Sequence, residues 1–195
     1  MGKRIKRIMG LGIVVVAVAL MVSGLVGCGN KHIDNKAMEE EFENAPEWVL
    51  VGHEPDTFSA VGSARIGKSG MQFARTAALA LARNELANRL SVQVYSLVDN
   101  VTRQAGMGDA QMVDRLGKQV SSQVARETLN GSMQKDIWIS PGSDLYVLVV
   151  MDADAVKASV RSNMVSSFEE DADGWEEFRA GKGDELLDRE IDQIF

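Results

Sequence analysis

The stretch that decides the fold is residues 70–106, GMQFARTAALALARNELANRLSVQVYSLVDNVTRQAG. Its apolar residues recur three, four or seven positions apart, which is the spacing of one helix face. They are Leu79, Leu86, Leu90, Val94, Leu97 and Val101. The abundant alanine favours helix and lets neighbouring elements approach closely. The stretch therefore predicts a long amphipathic helix.

As a single helix this stretch would run for roughly 50 Å, which is long for a chain of 195 residues. We therefore expect a break near Ser91. The segment 91–98, SVQVYSLV, contains enough β-branched residues to form a strand instead. Helix is our prediction for it.

Three runs outside this helix predict strands. Residues 56–64, DTFSAVGSA, enter a glycine-containing turn just before the helix. Residues 132–140, SMQKDIWIS, and 145–152, LYVLVVMD, flank Pro141-Gly142 and predict a hairpin. The predicted fold class is α+β, with a small antiparallel sheet of three to four strands packed on a long Ala-rich helix and amphipathic helices at the C-terminus.

The remaining helices are predicted from their caps and their apolar faces. Asp109 is a plausible N-cap for a helix whose buried face we expect to hold Met112, Val113, Leu116, Val120 and Val124. Asp152 and Asp154 begin a helix from about 153 to 168, where acidic residues favour the N-terminus. The acidic tail predicts one or two helices. Their shared face would hold Trp175, Phe178, Leu186, Leu187, Ile191 and Ile194.

The N-terminus has the order of signals that marks a bacterial lipoprotein. A positive segment, KRIKR at residues 3–7, precedes fifteen uncharged and mostly apolar residues, 8–22. The lipobox follows as Leu25, Val26, Gly27 and Cys28. We predict that the thiol of Cys28 receives diacylglycerol and that cleavage before Cys28 frees an amine for a third acyl chain. Gly29 follows the cysteine, and the absence of Asp there favours the outer membrane.

This signal divides the chain into four predicted parts: a cleaved signal peptide (1–27), a lipidated flexible tether (28–45), an α+β domain (46–168) and an acidic helical tail (169–195). Within the tether, a short amphipathic helix around residues 36–42 is an alternative. Cys28 is the only cysteine, so we expect no disulfide. The leader carries four positive charges and no negative one, so its removal takes the formal net charge from −7 to −11. An acidic protein is a poor partner for nucleic acid, and we predict none.

Residues 62–69, GSARIGKS, match the phosphate-binding pattern G-x-x-x-x-G-K-[ST] through Gly62, Gly67, Lys68 and Ser69. Three arguments favour coincidence. The lipobox directs the chain to a compartment without ATP, and too few strands are predicted for a parallel sheet covered on both faces. The glycines also suit a turn, and Ser69 suits a helix N-cap. We therefore predict no bound cofactor.

No other catalytic or metal-binding constellation stands out. His32 lies in the tether and His53 in a polar loop, and each is most simply solvated. With one cysteine and no clustered histidine, a tetrahedral zinc site is not predicted. The tryptophans at 48, 138 and 175 fit either the core or an interface.

Several motifs, in order, resemble the Lpp-twenty type of bacterial outer-membrane lipoprotein, which is related to the flagellar assembly proteins P and T. They are PEWV (46–49), FSAVGSA (58–64), ARTAALALARNELANRLSVQVYS (74–96) and LNGSMQKDIWIS with DLYVLVVMD (129–152). The resemblance implies a dodecin-like α+β domain with no enzymatic activity. It also implies that some relatives build rings around flagellar motors. The Gly-Lys-Ser triplet lies outside the family pattern.

These observations lead to a hypothesis and two alternatives. The hypothesis is a structural or assembly lipoprotein of the envelope that faces the periplasm, self-associates or docks on other envelope proteins, and is ring-forming and motility-associated. The first alternative is a module that binds a small apolar ligand between sheet and helix. The second is the nucleotide-binding protein that the pattern at 62–69 would require.

Overall fold

The computed structural model of the protein describes residues 35–170 and 172–195. The predicted signal peptide, the lipobox and Cys28 lie outside the described residues. The chain divides into two compact units, residues 1–39 and residues 40–195. The helices are α1 (Asn35–Phe42), α2 (Glu47–Val51), α3 (Gly70–Gln104), α4 (Ala110–Gly131), α5 (Ala153–Glu169), α6 (Ala172–Ala180) and α7 (Gly183–Ile194). The strands are β1 (Phe58–Arg65), β2 (Met133–Ile139) and β3 (Asp144–Met151).

Helix α3 is one uninterrupted helix of 35 residues. The expected break near Ser91 is therefore wrong, whereas the helix predicted for residues 91–98 is confirmed. Burial explains why the helix continues through its β-branched segment. Ala78 packs on the sheet, and farther along Val94 and Leu97 are fully buried against the other helices. Tertiary packing along the whole length outweighs the local strand propensity.

The three strands form one antiparallel sheet in the order β1-β3-β2. The β2–β3 hairpin is confirmed, with Trp138 opposite Tyr146. Strand β1 pairs with β3 in unbroken register from Phe58 opposite Met151 to Arg65 opposite Asp144. The most apolar strand, β3, therefore lies at the centre of the sheet. Its side chains alternate between a face covered by α3 and an opposite face, which we call the front face.

Small residues let α3 lie very close to β1. A Cβ atom built on Gly62 would lie 2.1 Å from the carbonyl oxygen of Ala78 and 2.4 Å from the backbone nitrogen of Ala82. Ala60, Ala78 and Ala82 are all fully buried. The spacing between helix and sheet is thus set by backbone atoms rather than by long side chains.

The other helices complete the core as predicted. The side chain of Asp109 accepts hydrogen bonds from the amides of Gln111 and Met112, and that of Asp152 accepts one from Ala155. The face predicted for α4 packs inward, and the C-terminal tail forms two helices. Phe178, Leu187 and Ile191 of the tail are buried, and Trp175, Leu186 and Ile194 pack against the same core. The predicted fold class is confirmed.

We expect Gly62→Ala to destabilise the protein strongly, because its new methyl group would displace the backbone of α3. Overpacking against backbone should cost about 2 kcal/mol, which is a fall of roughly 4–8 °C in melting temperature for a chain of this size. Gly67→Ala is the matched control, since nothing lies within 4 Å of the place that a Cβ atom would take there. It should change stability by less than about 0.5 kcal/mol. Thermal unfolding followed by circular dichroism measures both, and equal effects would contradict the packing argument.

Candidate functional site

The front face of the sheet receives the segment that comes from the chain's N-terminal end. Trp48 and Val49 of α2 are buried against Leu148 of β3. Partly buried apolar side chains surround them, namely Phe42, Ala45, Val61, Trp138, Tyr146 and Val150. Helix α3 covers the opposite face, so both faces of this small sheet are covered by helices. We call residues 40–51 with the strand residues beneath them the tether-docking face.

Aromatic contacts hold the first part of this segment. Phe42 stacks on Trp138, with ring centroids 6.2 Å apart and planes 23° apart. It also meets the edge of Tyr146 at 6.2 Å, and Trp138 lies 5.4 Å from Tyr146. Such pairs contribute about 0.5–1.5 kcal/mol each beyond their buried area. Burial, and then the neighbouring carboxylates of Asp144 and Glu41, raise the pKa of the Tyr146 phenol, so this ring is neutral at physiological pH.

A carboxylate clamp joins α1 to the turn of the β2–β3 hairpin. The side chain of Glu41 accepts hydrogen bonds from the hydroxyl of Ser140 and, at 2.8 Å, from the amide of Gly142. Ser140 Oγ in turn accepts from the amide of Asp144 at 3.1 Å. A Cβ atom on Gly142 would lie 2.6 Å from both carboxylate oxygens of Glu41. The clamp therefore requires glycine at position 142.

Polar contacts fix the second part of the segment over β2. The indole Nε1 of Trp48 donates to Oδ2 of Asp136 at 3.2 Å. Lys135 forms an ion pair with Glu54 at 2.5 Å, in the loop that follows α2. These contacts join residues 88 and 81 positions apart in the sequence. The segment is thus fastened to the sheet at several points rather than at one.

The clamp lies inside a part of the chain that we expected to be a flexible tether, residues 28–45. Residues 35–42 of that tether form α1, and Glu41, Phe42 and Ala45 pack on the sheet. Sequence reasoning missed this contact. The nearest signal was the recurrence of an apolar residue at every third position, at Phe42, Ala45 and Trp48. This signal was weak because Pro46 interrupts the pattern.

The residues of the phosphate-loop pattern are not gathered in one loop. Gly62 lies within β1 opposite Val147, whereas Gly67, Lys68 and Ser69 precede α3 and are exposed. Ser69 occupies the N-cap position of α3 but makes no side-chain hydrogen bond to it. Asp152 begins α5 as its cap.

Metal-binding clusters and membrane spans are both absent from the described residues. Within residues 35–170 and 172–195, no group of three or more His, Cys, Asp or Glu side chains is placed to hold a metal ion. None of the described helices combines the length and apolarity needed to cross a bilayer.

The three tryptophans lie at different depths in the fold. Trp48 is in the core beside the sheet. Trp138 and Trp175 are partly buried in aromatic clusters, the first with Phe42 and the second with Phe178.

Comparison with known protein families identifies a relationship. The family model described as LPP20 lipoprotein matches residues 46–152, from the residue before α2 to the residue after β3. The match covers more than half of the chain and includes the sheet, α3, α4 and most of the tether-docking face. No curated protein matches the chain.

A double-mutant cycle tests the clamp. Glu41→Ala should lower the free energy of unfolding by about 1–2 kcal/mol, because it removes a charged acceptor from two donors at a partly buried site. Gly142→Ala should cost a similar amount by displacing the Glu41 carboxylate. Because both changes break the same contact, the double variant should cost little more than either single one. Urea unfolding measures the four free energies.

The control for this cycle is Glu43→Ala, which removes an exposed carboxylate two residues away and should have little effect. Full additivity of Glu41→Ala and Gly142→Ala would show that the two residues stabilise the protein independently, and the clamp would then be discarded.

Proposed function

The chain belongs to the LPP20 lipoprotein family, and from this premise we propose that it is a non-enzymatic structural or assembly module of the cell envelope. Acyl chains on Cys28 hold it at the outer membrane, facing the periplasm or the cell surface. It associates with copies of itself or with other envelope proteins. We further propose that the assembly it joins is ring-forming and motility-associated, a role suggested by the resemblance to the flagellar assembly proteins P and T.

The observation that carries this proposal is the position of the lipobox relative to the family domain. Leu25, Val26, Gly27 and Cys28 end a leader of the right composition, and the matched family region starts 18 residues after Cys28. A single acyl chain binds membranes marginally, whereas two or more anchor a protein stably. Diacylglycerol on the thiol and a third chain on the new amine therefore suffice to hold the domain at the membrane.

The tether-docking face supports a structural role. The first residue of α1 comes seven positions after Cys28, and this stretch reaches at most roughly 25 Å when fully extended. The chain is then fastened through Glu41, Phe42 and Trp48. A short and fastened connection limits how far the domain can move from the bilayer, which suits a component of a fixed assembly better than a freely ranging carrier.

The packing also weighs against the two alternatives. A ligand between sheet and helix would need space that the contact of Gly62 with Ala78 and Ala82 fills with backbone. A phosphate-binding loop needs its glycines in one loop before a helix, and Gly62 is a strand residue here. The members of the LPP20 family are not known as enzymes, which agrees with a non-catalytic role.

Metabolic labelling with an alkyne fatty acid tests the anchor. The wild-type chain should take up label and sediment with the outer membrane, whereas Cys28→Ala should take up none, because it removes the only thiol. The label could be attached through a thioester on the thiol, or through the expected thioether-linked diacylglycerol and N-terminal amide. Neutral hydroxylamine distinguishes these linkages, because it cleaves the thioester and spares the others. Lys68→Ala is the matched control, and both labelling and fractionation should be unchanged.

Label that persists in Cys28→Ala, or that hydroxylamine removes completely, would contradict lipobox processing. A fully labelled protein found in the inner membrane would contradict the outer-membrane assignment alone.

A further inference from the structure

A cleft of about 360 Å³ opens between α4 and α5. Near the sheet these two helices are joined, because Glu127 accepts hydrogen bonds from the side chains of Ser159 and Asn163. Farther along, the side-chain amide of Gln119 donates to the carboxylate of Glu170 at 3.1 Å, and the cleft lies at this distant end of the seam. Its volume is within the range of small-molecule sites.

The inner part of the cleft contains a buried hydroxyl group. Ser167 lines the cleft and is 5% exposed, and its Oγ has no hydrogen-bond partner among the described residues. The buried hydroxyls of Thr102 and Thr128 instead donate to the carbonyl four residues earlier in their own helices. An unsatisfied buried hydroxyl costs free energy. A ligand group that reaches Ser167 would supply the missing hydrogen bond.

The rest of the inner part is apolar, and we call Leu116 and Phe168 the apolar floor. Both side chains are buried, and Met112 forms part of the wall beside them. The ring of Phe168 is held from behind by Phe178 of α6, with ring centroids 4.1 Å apart and planes 24° apart. The floor is therefore formed in advance for a short apolar group, and flexible Met112 can adapt to its shape.

The rim of the cleft carries charges of both signs at different places. Arg115 and Gln119 lie on α4, and the five N–H donors of a guanidinium allow Arg115 to bind a carboxylate in addition to its contacts within the protein. Glu169 and Glu170 end α5, whose last turn has no basic residue. The C-terminus of a helix is stabilised by cations, not by carboxylates. A positive group at this end of the cleft would remove that repulsion.

We propose that this cleft binds a free α-amino acid with an apolar side chain. The ligand side chain lies on the apolar floor. Arg115 and Gln119, four positions apart on one face of α4, donate to the ligand carboxylate. Ser167 and Glu170, three positions apart on one face of α5, accept from the ligand ammonium group. The site goes beyond the structural role proposed for the protein and does not depend on it.

The chemistry of the lining distinguishes this ligand from a lipid. Four of the seven described residues that line the cleft are polar or charged, so an acyl chain would bury polar groups without partners. A zwitterionic lipid headgroup has the two charges but no apolar side chain beside them. The family relationship does not assign the site, because Ser167 and Glu170 lie beyond the matched residues 46–152.

Titration calorimetry of the full mature protein, purified from membranes in a maltoside detergent, tests the ligand. L-leucine should bind to one saturable site with a dissociation constant of about 1 mM or tighter. Three analogues each lack one part of the ligand: N-acetyl-leucine has no ammonium group, leucine amide has no carboxylate, and glycine has no side chain. Each should bind at least about tenfold more weakly, since each leaves one set of protein groups unused. Phosphorylethanolamine, which represents the lipid headgroup, should bind no better than glycine.

Three variants, each with a matched control, test the position of the site. Ser167→Ala should weaken leucine binding about threefold to tenfold, the ordinary effect of one hydrogen bond, without lowering the melting temperature of the free protein. Ser166→Ala is its control, because that exposed hydroxyl already donates to the carbonyl of Ser162.

The two charged residues of the rim are tested in the same way. Arg115→Gln and Glu170→Gln should each weaken leucine binding about tenfold, because each removes a charged partner of the ligand. Arg126→Gln changes an exposed residue of α4 that is not among those lining the cleft, and it should leave binding unchanged.

The absence of saturable leucine binding would overturn the proposal. N-acetyl-leucine or phosphorylethanolamine bound as tightly as leucine would also overturn it, because the ligand would then not be a free amino acid. Unchanged binding in Ser167→Ala together with a lower melting temperature would show that the hydroxyl stabilises the fold and that leucine binds elsewhere.

Discussion

The contact between Gly62 and the backbone of α3 constrains the rest of the structure. Because the helix rests on β1 without an intervening side chain, only small residues fit where it crosses the sheet, and Ala60, Ala78 and Ala82 fill that place. The large buried side chains of α3 then follow this crossing and begin at Leu86. Leu90, Val94 and Leu97 meet the other helices there. The length of α3 follows, since one helix must serve a tight interface at one end and a wide core at the other.

The fold could be predicted from sequence wherever local signals decide it. The hairpin follows from Pro141-Gly142 between two apolar runs, and the starts of α4 and α5 follow from Asp109 and Asp152, whose side chains cap the next turn. The expected break at Ser91 failed for a physical reason. Residues 91–98 favour strand locally, but Val94, Leu97 and Val98 are buried by helices that lie far away in the sequence. The strand order β1-β3-β2 likewise depends on pairing across about 80 residues, which no local pattern encodes.

The candidate site also has one part that the sequence predicts and one part that it does not. The lipobox is a contiguous signal, so Cys28 could be singled out from the sequence. The clamp joins Glu41 to Gly142, 101 positions away, and neither residue is unusual in its own neighbourhood. A glutamate in an acidic run is most simply solvated, and a glycine after proline is most simply a turn. Only the packed structure shows that the glycine also leaves room for the carboxylate.

The phosphate-loop pattern illustrates how separate structural demands can imitate a functional motif. Gly62 is needed for the approach of α3, and its backbone groups point towards β3, where the ladder uses them. Gly67 accepts a hydrogen bond from the amide of Gly70, whose φ of +84° is a left-handed turn that favours glycine. Ser69 simply precedes the helix. A phosphate cradle requires consecutive amides that converge on one anion, whereas here one end of the pattern lies inside a paired strand. The spacing of four residues is therefore the length of chain between the helix contact in β1 and the turn, and packing requires glycine at position 62 but not at position 67.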